Sequence, residues 1–272
     1  MSVRLGRVLC VGSAAGAVAV GLGCTTHVAS ASGQADPEHQ SISEFNLGLD
    51  AVNHGDFRVA LQHAQRAVDL DDKNARATYL AAVVYLGFCN GLRGFADPDC
   101  RLPDAEKFAR MTVKLAPQYA DGKNLLGEIL IDEKRFPEAI EVLRPLTTDP
   151  SYTSIHLAWG NLGWAQVLAG DVDGGIVSLK NAVTEPRFCV GFYRLGMAYE
   201  KKGDLPQAEA NLSNAVDGEA CKNFQDAFEE RGKVRLQLGH VDLARADFQQ
   251  CKGLTADTLA GKRCAQSLEA KP

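Results

Sequence analysis

Nothing in this chain has the spacing of a metal or redox centre. Its six histidines form neither an H-E-x-x-H run nor an i, i+4 pair, and no two of its eight cysteines stand as C-x-x-C. These absences argue against zinc-peptidase, structural-zinc and thioredoxin-like chemistry. Basic residues never cluster: 29 Lys and Arg are scattered among 34 Asp and Glu, a formal charge of −5. An acidic chain without a basic stripe is a poor partner for nucleic acid. No strand pattern precedes a Gly-rich phosphate loop or a nucleophile elbow, and the glycines between positions 12 and 23 belong to an apolar leader. Adjacent like charges, Asp71–Asp72, Lys201–Lys202 and Glu229–Glu230, point to different sides of a helix or turn and read as solvated faces. The expectation is a protein with no catalytic residues, cofactor, metal or small-molecule substrate.

What the sequence does contain begins with an export signal. Arg4 and Arg7 precede the uncharged apolar run Val8–Leu22, too short and Gly-rich for a membrane-spanning helix. Two processing sites are readable. Gly23–Cys24 abuts the apolar run, as in bacterial lipoproteins, and would leave an acylated Cys24, although Gly21 stands where Leu is preferred. Ala29-Ser30-Ala31 would instead release a soluble periplasmic chain. The first is the reading adopted: residues 1–23 are a lipoprotein signal, 24–40 a flexible tether, and Cys24 the lipidation site. Thr25 in place of Asp resembles lipoproteins sent to the outer membrane. Ser41 or Ser43 can cap the first helix.

Hydrophobic residues make up 46% of the chain, ample for a core, and they recur in a pattern. Counting Cys189 as position 1, Leu195–Gly196 fall at 7 and 8, Tyr199 at 11, Gly203–Asp204–Leu205 at 15 to 17, Ala208 at 20, Leu212 at 24 and Ala215 at 27. This resembles the tetratricopeptide repeat, a helix–turn–helix unit of about 34 residues. Small residues at 8 and 20 let antiparallel helices approach, and the glycine at 15 ends the first helix. Related units start at Ser41, Ala75, Ala120, His156 and near Gln225. The second carries an insertion between Tyr85 and Ala105. The resemblance implies an all-α solenoid: six repeats over 41–254, 13 helices in a right-handed superhelix, and a capping helix and tail over 255–272.

Discounting Cys10 and Cys24 leaves an even six cysteines, which allow 15 pairings. Placement in the units selects three: Cys89–Cys100 flanking the insertion, Cys189–Cys221 opening and closing the fifth unit, and Cys251–Cys264 joining the last repeat helix to the cap. In tetratricopeptide arrays the first helices line the inner wall through positions 2, 5, 9, 12 and 13. Here those include Tyr79 and Val83, then Asn124, Glu128 and Ile131, then Trp164 and Val167, then Val190, Tyr193 and Met197. Large apolar residues on a groove point to a bound protein segment. Trp159 lies five residues before Trp164, about 140° away around the helix, and is assigned to the core.

One combination is narrower: the leader with Cys24, six units, and the segment 149–176, in which P-x-Y and A-x-x-N-L-G join the third and fourth repeats. It resembles the type IV pilus pilotin lipoproteins of the PilF/PilW/Tgl group, most of all the Tgl branch. The resemblance implies a lipid-anchored, periplasm-facing scaffold at the outer membrane that binds secretin subunits and promotes their assembly. Tyr152, Trp159, Asn161 and Gly163 are the matching residues. The alternative is a general periplasmic adaptor recruiting cell-wall hydrolases or outer-membrane assembly factors.

Overall fold

The computed structural model describes residues 36–90 and 97–269. Residues 1–35, including Cys24 and most of the expected tether, lie outside that range. The described residues form thirteen α-helices and no strand. Twelve make six antiparallel pairs: α1 Pro37–Asn53 with α2 Phe57–Leu70, α3 Ala75–Cys89 with α4 Leu102–Leu115, and α5 Ala120–Asp132 with α6 Phe136–Leu143. The remaining pairs are α7 Ile155–Ala169 with α8 Val172–Ala182, α9 Cys189–Lys202 with α10 Leu205–Asp217, and α11 Gln225–Gln237 with α12 Val241–Leu254. α13, Leu259–Glu269, closes the row.

Five of the six units begin within a residue of the expected positions. The first begins earlier, at Pro37. Asp36 caps α1, its side chain accepting from the Glu38 amide at 3.3 Å, and Pro37 occupies the first turn, where its missing N–H costs nothing. The tether expected to run to residue 40 therefore gives way to helix at 37. Neither serine is the cap. Ser41 is buried within the helix, where its hydroxyl donates to the Ala67 carbonyl at 2.7 Å and accepts from Asn74 Nδ2 at 2.9 Å. It ties α1 to the end of α2 and the start of α3.

The turns follow the repeat. Gly55, Gly170, Gly203 and Gly239 take φ of 79°, 100°, 85° and 79°, the left-handed conformation that ends a helix and that only glycine adopts freely. The third unit has Lys134 at this position, with φ 61°. Close approach within a pair is clearest at Gly163, where a Cβ would lie 2.9 Å from the Gly175 carbonyl oxygen and 2.7 Å from Leu179 Cγ. Fully buried alanines line the second helices, among them Ala60, Ala64, Ala105, Ala109, Ala139, Ala208, Ala215 and Ala244.

Each helix packs on its neighbours in the chain, and each odd-numbered helix also touches the next odd-numbered one, from α1 through to α13. No two even-numbered helices pack together among the described residues. The odd helices thus form a continuous inner row. Between α6 and α7 the chain makes a 3-10 turn, Arg144–Thr148, and Leu146 and Tyr152 are buried against the main core.

Candidate functional site: a groove on the inner helices

The inner row carries a groove of about 490 Å³ spanning α5, α7, α9 and the start of α11. Trp164 contributes from α7, and Val190, Tyr193, Arg194 and Met197 from α9. Glu128, Ile131 and Asp132 stand one helical turn apart on α5. Asn90 closes one end, Phe224 and Asp226 the other. The walls are therefore aromatic and aliphatic, with three carboxylates and one guanidinium among them.

The guanidinium is held in place. Arg194 Nη1 donates to Asn161 Oδ1 at 2.6 Å, and Asn161 Nδ2 donates to Asn124 Oδ1 at 3.2 Å. This ladder crosses α9, α7 and α5 beneath the groove. Glu128 and Asp132 make no hydrogen bond or ion pair within 4.0 Å among the described residues. Burial raises the Asp132 carboxyl to about 6, helped by the Glu128 charge and opposed by Arg194. Burial likewise raises Glu128 against the pull of Arg194. Asp226 is raised by burial and then by Glu229. The phenols sense the same sign: burial, and then nearby carboxylates, push up Tyr193, while burial, Asp121 and Glu128 push up Tyr152. The inner wall is a field of negative charge over an apolar floor.

Glu128, Ile131, Trp164, Val190, Tyr193 and Met197 thus meet in one place, as the register anticipates. Four other expected residues do not line this groove. Val167 is 1% exposed and belongs to the core between α7 and α8. The cause is Gly175 on α8, which has no side chain at the point of contact; a Cβ there would stand 2.4 Å from Val167 Cγ2. Asn124 is buried in the hydrogen-bond ladder. Tyr79 packs on Tyr119, with ring centroids 5.1 Å apart, and Val83 packs on the main core. Trp159 is half-buried against the same core and does not line the groove.

Asp132 and Asp226 stand at positions 13 and 2 of their units, so the register alone could have found them. Arg194 at position 6 and Phe224, which precedes α11, carried no such signal. The expected solvated pair Glu229–Glu230 is also corrected. Glu229 is fully buried, paired with Arg263 at 2.6 Å and Lys233 at 2.7 Å. Burial opposes its ionisation, but Arg263 and Lys233 outweigh burial and hold the carboxyl below its usual range. The pair Glu229–Arg263 fastens α13 to α11. Elsewhere, the six cysteines lie in three couples, Cys89–Cys100, Cys189–Cys221 and Cys251–Cys264, with Cα separations of 4.5, 5.5 and 6.2 Å. All three are within bridging distance.

Comparison with known proteins agrees with this architecture. The tetratricopeptide repeat family matches residues 45–87 and 193–256. Human mitochondrial import receptor subunit TOM70 is 25% identical over 239 residues, which cover 80% of this chain and 37% of TOM70. The chain thus spans little more than a third of the curated relatives it matches. Among solved structures, PilW, described as a widely conserved type IV pilus biogenesis factor, superposes with a TM-score of 0.66 at 19% identity, covering 83% of this chain and 98% of PilW. PilF of Pseudomonas aeruginosa gives 0.60 at 17% identity, covering 85% and 99%. The described residues form an all-helical solenoid of helix pairs, matched in two stretches by the tetratricopeptide repeat family, and share the fold of PilW and PilF.

Proposed function

We propose that this tetratricopeptide-repeat chain is a lipid-anchored scaffold that faces the periplasm, binds secretin subunits and promotes their assembly in the outer membrane for type IV pilus biogenesis. Cys24 is the acylated residue, on the inner leaflet of the outer membrane. The supporting observation is coextensive architecture. The repeat body matches PilW and PilF over nearly their whole length, whereas it spans only part of TOM70. The leader ending at Gly23–Cys24 adds the anchor. An exported location also fits the three cysteine couples, which we assign as disulfides because exported chains are oxidised.

The groove supplies the means of binding. Trp164, Tyr193 and Met197 offer apolar surface to a partner segment, and aromatic anchors in such pockets carry most of an interface's free energy. The alternative is a general periplasmic adaptor that recruits cell-wall hydrolases or outer-membrane assembly factors with the same groove. Co-expression with a type IV pilus secretin decides between them. Wild-type chain is expected to yield detergent-resistant secretin multimers in the outer membrane, and Cys24→Ser to leave them in the inner membrane or unassembled. Equal assembly with and without the chain would overturn the secretin reading and leave the adaptor.

A further inference from the structure

The groove is apolar in its floor but not neutral in its charge, and this selects among possible occupants. Among the described residues, Glu128, Asp132 and Asp226 face it against Arg194 alone, whose Nη1 is engaged by Asn161. Glu128 and Asp132 lie four residues apart on α5, so both project from one helix face beside Ile131. Neither has a hydrogen-bond partner among the described residues. Both are half-buried, so their oxygens open onto a partly apolar cleft with no donor from the described residues. A bound segment that supplies one satisfies them; one that brings a carboxylate adds to a like-charge cluster.

We infer that this groove is the docking site for an extended or helical protein segment in which a lysine or arginine alternates with large apolar side chains. The cationic head is received by Glu128 and Asp132, and the apolar side chains by Ile131, Trp164, Tyr193 and Met197. The raised carboxyls of Glu128, Asp132 and Asp226 support the same sign of field. The chain's own tether is a poor occupant: residues 25–36 contain no Lys or Arg and end at Asp36. A second copy is disfavoured by the net charge of −5 on each chain. The inference rests on the proposed scaffold role only in taking the occupant to be a protein segment.

The test uses the soluble chain from residue 25, which lacks the acylated Cys24, and three fluorescent, end-blocked peptides of equal length. One alternates Lys with Leu and Phe, the second has Glu for every Lys, and the third has Ser for every apolar residue. The Lys–apolar peptide is expected to bind with an affinity that falls as salt rises, and the other two at least tenfold more weakly. Asp132→Asn and Glu128→Gln should each weaken it about tenfold, the loss of one charge-assisted contact, while Asp242→Asn on exposed α12 changes nothing. Because Asp132→Asn removes a charge that burial disfavours, its melting temperature should not fall, which separates lost binding from lost fold. Equal binding of the Glu peptide, or unaltered binding by both groove variants, would overturn the inference. Sedimentation showing self-association that Asp132→Asn abolishes would also overturn it, in favour of a second copy. Charge-selective peptide binding in a chain that fails to promote secretin assembly would sustain the inference and reject the scaffold role. Secretin assembly promoted by the chain and untouched by Asp132→Asn and Glu128→Gln, with the Glu peptide binding as well as the Lys peptide, would do the reverse.

Discussion

Lys134 shows how one residue departs from the repeat and what that costs. It holds φ 61° where four other units use glycine, and a side chain in the left-handed region costs about 1 kcal/mol or more. Lys134→Gly is therefore expected to raise stability by about 1 kcal/mol, read as an upward shift of the urea midpoint; no shift would mean that Lys134 gains a compensating contact. The two tryptophans divide differently. Trp164 lines the groove while also packing on two cores, so Trp164→Ala should weaken partner binding by about 2 kcal/mol or more, with some loss of stability but helicity largely retained. Trp159→Ala, packed on the main core, should cost about 3 kcal/mol of stability, measured by denaturant unfolding. Asp132 adds a pH dependence. Its folded pKa of about 6 lies above the ordinary value, so the folded chain holds this proton more tightly than the unfolded chain. Its charge opposes folding above pH 6, and that penalty fades as pH falls from 6 towards 4. Glu128 on the same helix, Glu133 at its C-cap, Arg194 and Tyr193 on α9 and Asp226 on α11 face or flank it, so the transition is shared. Binding of the Lys–apolar peptide should weaken over that same interval, as titration at pH 7.5 and 5.5 would reveal.

At the scale of elements, the last helix depends most on specific bonds. α13 has eleven residues, too short to be stable alone, and it is fastened to α11 by Glu229–Arg263 and faces α12 at Cys251–Cys264. Removing one partner of a buried charge pair commonly costs 3–5 kcal/mol; Arg263 is half exposed and Lys233 still pairs with Glu229, so Arg263→Ala should cost about 1–2 kcal/mol, seen as early loss of protection in α13 by hydrogen exchange. The sign with pH is opposite to that of Asp132. The Glu229 carboxyl is held below its usual range, so its contribution is present near neutral pH and lost as pH falls through the folded value. Acidification should therefore relieve the groove first, and loosen the C-terminal pair only at a pH below the ordinary glutamate range. The cysteine couples act on single units as well. Each closes a short loop, with sequence separations of 11, 32 and 13, and as a disulfide each would contribute about 2–4 kcal/mol. Reduction should lower the thermal midpoint without abolishing helicity; cysteines that remain free in the exported protein by mass spectrometry would remove this contribution.

The described residues form a row in which every unit packs only on its neighbours, so stability is a sum of unit and interface contributions rather than one global core. Among the described residues inner helices touch one another while outer helices do not, which places the first helices of successive units side by side. This is why α5, α7, α9 and α11, drawn from four different repeats, can share one groove. A partner lying along it would contact several units at once. Binding is thus expected to stabilise the chain by mass action, with a melting temperature that climbs as peptide is added.

The sequence by itself determined the repeat: small residues at fixed positions, a glycine or its substitute at each turn, and an apolar period that allows only paired helices. It also determined the couples of cysteines, because antiparallel helices bring their ends together wherever the units are placed. The position-by-position register located Trp164, Tyr193, Met197, Ile131 and Glu128 on one wall, and it would have located Asp132 and Asp226. Only the tertiary structure decided that Val167 sinks into the core, since that depends on Gly175 in another helix having no side chain to meet it. Only the tertiary structure turned Glu229 inward, because its cationic partner Arg263 is 34 residues away. The reason is common to both. A repeat fixes where a side chain starts on its helix, but burial and charge are set by what the next helix presents to it.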